Sequence, residues 1–315
     1  MSHAVVHRRI GGPDVLEYVE AEPARPASGE VLIRVDAAGV NPIDAKLRSG
    51  IRPSPPLEGP RRVGADGAGT ILEVGEAVEG LRTGMPVVVT GAQGLYADMA
   101  TVPAAAVTPR PHTVDAATGA SIGIPASTAY QALRSLSVGP GDRLLVHGGS
   151  GAVGQAVIQF ASAWGAEVIA TTSSRRADRV RELGATPVPY GEGLTDRVRT
   201  LSRSIDAALD CAGTDEAIQT SIEVVSDRSR VATLVRGADA PGFGIQAYAG
   251  GAPYGLSEQQ QAWRREAVPV TLALIAAGAF RVEKGPAYPL RDAVRAHEEL
   301  ERGTDGKILL LPAQS

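Results

Sequence analysis

Cysteine is nearly absent from this chain of 315 residues: Cys211 stands alone, which excludes an intrachain disulfide and any multi-cysteine zinc site. Aromatic residues make up only 4%, so the core must be assembled mostly from Ala, Val, Leu and Ile. No apolar run approaches the length needed to span a bilayer, and residues 1–10 are polar and basic, unlike a signal peptide. With the lone cysteine, these absences predict a cytoplasmic protein with no membrane partner. No basic block stands out, and a net charge of −4 argues against nucleic acid as a partner. Internal repeats and low-complexity segments are lacking too.

What is present is length enough for two domains with ample core, and one stretch, residues 143–154 (RLLVHGGSGAVG), around which the chain is organised. Leu144, Leu145 and Val146 read as a short strand. Val153, Val157, Ile158, Phe160, Ala161 and Trp164 read as the apolar side of a helix. Between them, Gly148 and Gly149 allow a sharp turn, Gly151 lets backbone approach a ligand, and Gly154 lets the helix pack on its strand. The helix start then offers free N–H groups and a positive dipole end to a pyrophosphate. Close helix–strand packing alone also accounts for such a glycine triplet. Its place between strand and helix, with a second strand at residues 167–172 (EVIATT), favours a dinucleotide-binding βαβ unit of the variant spacing GxxGxxG. Gly148, Ser150, Gly151, Ala152, Val153 and Gly154 are its predicted cofactor contacts.

Upstream, short strands are predicted at residues 4–6, 15–19, 30–35, 63–74 and 86–89, separated by turn signals, as in a small barrel. Asn41-Pro42 opens a short helix over residues 43–48, residues 53–60 form a proline-rich loop, and residues 116–136 read as one Ala-rich helical stretch. Downstream, strands are expected at 205–210, 230–235 and 243–250, a loop at 251–256, and a long helix over 257–278. A strand-and-helix pair around 287–302 and a closing strand at 308–311 follow, with residues 1–2 and 313–315 as free ends.

The segments GGPDVLEY, GEVLIRVDAAGVNPIDAKLRSG, VGADGAG, HGGSGAVG and GKILLLP, in this order, resemble the medium-chain dehydrogenase/reductase superfamily. Within it, the chain is most similar to the zinc-free quinone oxidoreductase branch, the zeta-crystallin-like enzymes. The resemblance covers nearly the whole chain. It implies an α/β fold with a GroES-like β-barrel catalytic domain, discontinuous over residues 1–122 and 265–315. A doubly wound parallel-sheet (Rossmann) NADPH-binding domain over residues 123–264 completes it, with the active site in the cleft between the two. A homodimer is implied by the family alone.

Zinc alcohol dehydrogenases of the superfamily place a cysteine ligand early in the barrel and a Gly-His-Glu stretch later. Here Asn41 and Gly64-Ala65-Asp66 stand there, with neither Cys nor His. Of the five histidines only His3 and His7 share a ligand-like spacing, with no third partner. Reduction of an already electrophilic acceptor, a quinone or an α,β-unsaturated carbonyl, is therefore expected over alcohol oxidation through a zinc alkoxide. Asn41 and Asp44 lie in the turn resembling the family's nicotinamide-facing segment. Asn41 either donates to a carbonyl or caps the turn before Pro42. Lys46 stands where many relatives carry tyrosine, and either stabilises an enolate, contacts cofactor, or is a solvated surface lysine. Thr128, in PASTAYQAL, matches a threonine beside the nicotinamide, or serves helix packing. Arg52 falls near the tyrosine donor of related enoyl-thioester reductases, a departure that weakens the enoyl-thioester reading. If Lys46 and Arg52 both line the pocket, an anionic or electron-poor acceptor is implied.

Cofactor choice is read after the second strand. It continues Ser173-Ser174-Arg175-Arg176, with no carboxylate until Asp178 to bind a ribose diol. Hydroxyls and guanidinium groups suit a 2′-phosphate, so NADPH is expected over NADH; the arginines also suit the start of a solvated helix over 175–183. Further contacts expected by resemblance are Tyr190 near the adenosine phosphate, Cys211, Ala212, Gly213 and Leu234 at the sheet's carboxyl edge, and Lys307. Asp206 and Asp210 are expected to shape turns, and Lys307 is either near the cofactor or a surface hairpin lysine. The leading reading is a zinc-independent NADPH-dependent oxidoreductase of quinones or enones. A dedicated biosynthetic enoyl or ketone reductase and a non-catalytic, crystallin-like NADPH-binding protein stand as alternatives.

Overall fold

The computed structural model describes residues 1–248 and 255–312. Parts of the expected strand over 243–250 and loop over 251–256, and the end at 313–315, lie outside the described residues. The chain divides into two compact units, Met1–Ile124 with Val268–Ser315, and Pro125–Ala267.

In the first unit, the strand Glu30–Gly39 is central to a seven-stranded sheet. Val31, Ile33 and Val35 alternate inward and are fully buried, as a strand with one face on a core requires. One edge of this strand pairs antiparallel with Asp66–Val74; the other is shared by Met99–Pro103 and, further along, by Lys307–Leu311. That shared edge brings the closing strand beside Gly39 and so beside the turn at Asn41. Pro86–Thr90 and Val107–Pro109 continue the sheet beyond Asp66–Val74. A three-stranded sheet of Glu17–Glu20, His3–His7 and Arg61–Arg62 lies apart in the pairing scheme. Its histidines are spent locally: His3 Nδ1 lies 3.2 Å from Asp98, and His7 Nδ1 lies 3.0 Å from the carbonyl of Arg9.

The second unit is a six-stranded, wholly parallel sheet. Its order is Ala185–Pro189, Glu167–Thr172, Arg143–His147, Ala207–Asp210, Val231–Thr233 and Gln246–Ala247. In order of sequence this is 3-2-1-4-5-6, the doubly wound pattern, whose direction reverses beside Arg143–His147, where such sheets bind ligands. Leu144, Leu145 and Val146 are buried without exception, because both faces of a parallel sheet are covered. The few aromatics are concentrated: Tyr130 packs edge-on against Phe160 and Trp164, with the Arg134 guanidinium over Tyr130 and Trp164.

Three elements differ from the sequence reading. The stretch at 116–136 is two helices, Ala116–Ala120 and Gly123–Ser135. It breaks where the Ser121 hydroxyl donates back to the Ala117 carbonyl and the Ile124 N–H donates to the Asp66 carboxylate at 2.8 Å. The segment 243–248 is mostly not strand. A short helix, Ala240–Phe243, ends on Gly244 at φ +68°, leaving only Gln246–Ala247 paired. After the second strand, a single 3₁₀ turn, Ser174–Arg176, precedes the helix Ala177–Glu182.

Candidate active site

The glycine turn in the second unit is built as a ligand cradle. Gly148 has φ +77°, which a side chain would strain, and its N–H donates to Thr171 Oγ1 at 3.0 Å while the Gly149 N–H donates to the Thr171 carbonyl at 2.9 Å. The turn is thereby locked to the neighbouring strand. A Cβ on Gly154 would lie 2.2 Å from the Gly148 carbonyl oxygen, so the helix Ala152–Ala163 approaches the turn as only glycine permits. Gly151 and Ala152 are exposed at the helix start. The helix itself offers no acceptor for the N–H groups of Ala152, Val153 and Gly154, which suits a pyrophosphate.

Beyond the second strand the chemistry suits a phosphate. Ser174 and Arg175 are exposed, Ser173 and Arg176 half-buried, and the Thr172 hydroxyl is buried with no hydrogen-bond partner. Asp178 is turned to Arg181 at 2.5 Å on the solvent side. Tyr190 is 62% exposed. At the next strand's end, fully buried Asp210 accepts from the N–H groups of Ala212 (2.9 Å) and Gly213 (2.8 Å) and from the Thr233 hydroxyl (2.7 Å). Asp210 therefore shapes this loop, and those two N–H groups are committed before any ligand arrives. Burial and the Asp210 charge push the Cys211 thiol well up, which leaves it un-ionised and inert. Beneath the turn, burial pulls His147 down to about 4. Its Nε2 lies 3.1 Å from the Ser221 hydroxyl, which itself donates to the Ala217 carbonyl, so Nε2 carries the proton of a neutral ring. Thr128 is buried, and its hydroxyl accepts from Arg264 at 2.5 Å.

The first unit holds a buried polar cluster that joins three of the singled-out residues, Asn41, Asp44 and Lys307. Asn41 and Asp44 form a capping box at the start of the helix Pro42–Ser49, with the Asp44 carboxylate accepting the Asn41 N–H at 2.9 Å. The Asn41 amide does more than cap. Its Nδ2 donates to the Gly39 carbonyl (3.2 Å) and to Asp66 (3.1 Å), and its Oδ1 accepts from the Lys307 ammonium. Both amide hydrogens are thus taken, so Asn41 is the hub of the cluster. Lys307 is only 4% exposed, unlike a hairpin lysine on the surface. Its stem passes Gly39, where a Cβ would come within 2.9 Å of Lys307 Cε.

Asp66 and Tyr96 complete the cluster and were not singled out as site residues from sequence. Asp66 belongs to the Gly64-Ala65-Asp66 stretch that lacks a zinc-ligating histidine; nothing local marks Tyr96. The Tyr96 hydroxyl donates to Asp44 at 3.0 Å. Burial raises Asp44 to about 7; the Asn41 N–H opposes this, the Asp66 charge adds to it, and Lys307 and Tyr96 pull the other way. Burial also lowers Lys307, against the raising effect of Asp66 and Asp44. Behind Tyr96 lies a second buried contact: Arg48 meets His297 Nδ1 at 3.1 Å and Glu301 at 2.5 Å. Burial, then the Arg48 charge, pulls His297 down to about 3, so its neutral Nδ1 accepts from Arg48. Lys46 is half-buried on the same helix but outside the cluster's hydrogen bonds, and the Arg52 N–H donates to the Lys46 carbonyl at 3.0 Å.

Residues 27–112 match the family described as alcohol dehydrogenase GroES-like domain, and residues 152–241 match that described as zinc-binding dehydrogenase. Over 331 aligned residues the chain is 31% identical to the quinone oxidoreductase of Salmonella typhimurium, spanning 99% of this chain and 100% of that protein. The solved structure of Escherichia coli quinone oxidoreductase complexed with NADPH matches with a TM-score of 0.85 at 28% identity, covering 98% of this chain and 100% of that one. A mycobacterial protein complexed with NADPH gives a TM-score of 0.83 at 31% identity, covering 99% and 100%.

Proposed function

The chain belongs to the quinone oxidoreductase branch of the medium-chain dehydrogenase/reductase superfamily, and from that premise we propose that it is an NADPH-dependent quinone oxidoreductase. The observation that carries the cofactor is the exposed helix start after the glycine turn, followed by a carboxylate-free Ser173–Arg176. Ala152, Val153 and Gly154 offer N–H groups to the pyrophosphate, with Gly148, Ser150 and Gly151 shaping the cradle. Ser173, Ser174, Arg175 and Arg176 hold the 2′-phosphate, and Tyr190, Cys211, Ala212, Gly213 and Leu234 line the rest. When bound, NADPH supplies the hydride. Asn41, Asp44 and Lys46 serve the acceptor from the first unit, and Thr128 is fixed by Arg264 in the second. The first unit is the catalytic domain and the second the nucleotide domain.

The test is NADPH oxidation against benzoquinone and naphthoquinone, with an alkenal, a cyclic enone and an enoyl thioester beside them, with and without chelator. Chelator-insensitive turnover, fastest with quinones, is expected. NADPH binding without turnover of any acceptor would overturn the assignment. Arg175→Ala with Arg176→Ala should raise KM for NADPH about tenfold or more and leave KM for NADH in place, since charge-assisted contacts are worth roughly 1.5–3 kcal/mol. Equal effects on both cofactors would remove these arginines from the phosphate site.

Among the described residues no helix is long and apolar enough to cross a membrane. We place the enzyme in the cytoplasm, where its lone cysteine fits, and as a homodimer, the state that sedimentation would check.

A further inference from the structure

Reduction of a quinone by hydride leaves an anion that needs one more proton, and resting on the function above, the source of that proton can be sought among the buried groups. Two cations are buried among the described residues, Arg48 and Lys307. Arg48 meets His297 and Glu301, and a guanidinium holds its protons too tightly to give one up. The Tyr96 hydroxyl is committed to Asp44, and burial drives its acidity the wrong way for a donor; the Asp44 carboxyl is itself engaged by the Asn41 N–H and the Tyr96 hydroxyl. Lys307 differs. Its ammonium carries three N–H groups, and among the described residues its side chain has one hydrogen-bond partner, Asn41 Oδ1. Two of its N–H groups have no partner among the described residues.

The surroundings hold that ammonium in place, and the Asp66 and Asp44 charges favour its charged form against the larger opposing effect of burial. Gly39 leaves room for its stem, and the Asn41 amide is fixed in turn by Gly39 and Asp66. The charged and titratable groups facing it are Asp66 and Asp44, with Tyr96 behind Asp44 and Arg48 beyond. Asn41, standing where a cysteine ligand would be expected, and Asp66, next to Ala65 at the place of the histidine, thus gather around an organic cation. An ammonium there does for a developing oxyanion what a Lewis acid does, and it has a proton to give.

We propose that Lys307 is the proton donor of the quinone reduction. The acceptor takes a hydride, two electrons and one proton, to become the hydroquinone monoanion, while NADPH becomes NADP⁺. An N–H bond of the Lys307 ammonium breaks, an O–H bond forms on the monoanion, and hydroquinone leaves. The neutral amine regains its proton from solvent. Burial, which eases loss of the ammonium proton, works in the same direction.

A series of quinones of graded electron demand, from methylated to chlorinated benzoquinones, tests this with the full enzyme at saturating NADPH. The reduced chlorinated quinones are stable anions that need little protonation, whereas the methylated ones need it most. Lys307→Met should lower kcat about 100-fold with methylated quinones and less than about tenfold with chlorinated ones. NADPH affinity, followed by fluorescence, should change less than about threefold; the melting temperature should fall, since Asp66 and Asp44 lose their buried counter-charge, and Lys307→Arg, which keeps that charge, separates this loss from the chemistry. Lys307→Arg keeps a buried charge but holds its proton too tightly to transfer it, so the same graded loss is expected. Uniform loss across the series, or a full rate for Lys307→Arg with methylated quinones, would overturn the proposal alone. Wild-type enzyme inert toward every quinone would instead remove the functional reading on which it rests.

Discussion

Two carboxyl groups, Asp44 and Asp66, share one buried ammonium, so one negative charge is in excess unless a proton is held. Asp44 holds it, at about 7, chiefly because of burial. A carboxyl raised on folding keeps its proton in the folded chain while the unfolded chain loses it near pH 4. Stability from this residue is therefore full below pH 4 and drains as pH rises toward 7, by about 4 kcal/mol at most. Asp44→Asn keeps an acceptor for the Asn41 N–H and the Tyr96 hydroxyl but removes the titration. Relative to wild type, the variant should gain stability between pH 4 and pH 7, read as diverging urea midpoints; parallel midpoints would disprove the assignment. Asn41, Asp44 and Lys307 each stood out in the sequence, but their meeting did not. Lys307 is separated from Asn41 by 266 positions, and only the pairing of Lys307–Leu311 beside Gly39 joins them.

At the scale of elements, the strand, glycine turn and helix over 143–163 were legible because their cause is local: apolar run, glycines, then helical periodicity. Gly154→Ala tests that cause. Its Cβ would meet a backbone oxygen at 2.2 Å, so the helix must shift away from the turn. A loss of roughly 1–3 kcal/mol in stability and at least about tenfold weaker NADPH binding are expected. Unchanged affinity in a titration would mean that the cradle tolerates a displaced helix. The break between Ala116–Ala120 and Gly123–Ser135 was only half legible: Ser121, Gly123 and Pro125 are local signals for it, but part of its cause is remote. The Asp66 carboxylate, contributed by a strand, accepts the Ile124 N–H and so sets where the second helix begins. Local helix preference over 116–136 contains no trace of that acceptor. Of the strand expected over 243–250, the described part is shortened to Gln246–Ala247 at the sheet's edge for a local reason: Pro241 and Gly244 favour a short helix ended by a left-handed residue.

For the whole molecule, the buried histidines oppose Asp44. His297 and His147 are neutral in the folded chain, held near 3 and 4 by burial, whereas in the unfolded chain both protonate near 6.5. A base lowered on folding stabilises fully above its unfolded value, and that stability drains as pH falls through the window from 6.5 toward the folded value. Each histidine is worth on the order of 3–5 kcal/mol over its window, so together they exceed the gain from Asp44 on acidification. The Asp142 carboxyl, held below its ordinary value by Arg230, adds to the loss at the acid end. The net expectation is a protein that loses stability below about pH 6 despite its protonated aspartate. His297→Gln separates the contributions: it removes one titrating ring while an amide oxygen can still accept from Arg48. Its urea midpoint should fall less than that of wild type between pH 7 and pH 4. Equal falls would place the acid sensitivity elsewhere, with His147 beneath the nucleotide turn next in line.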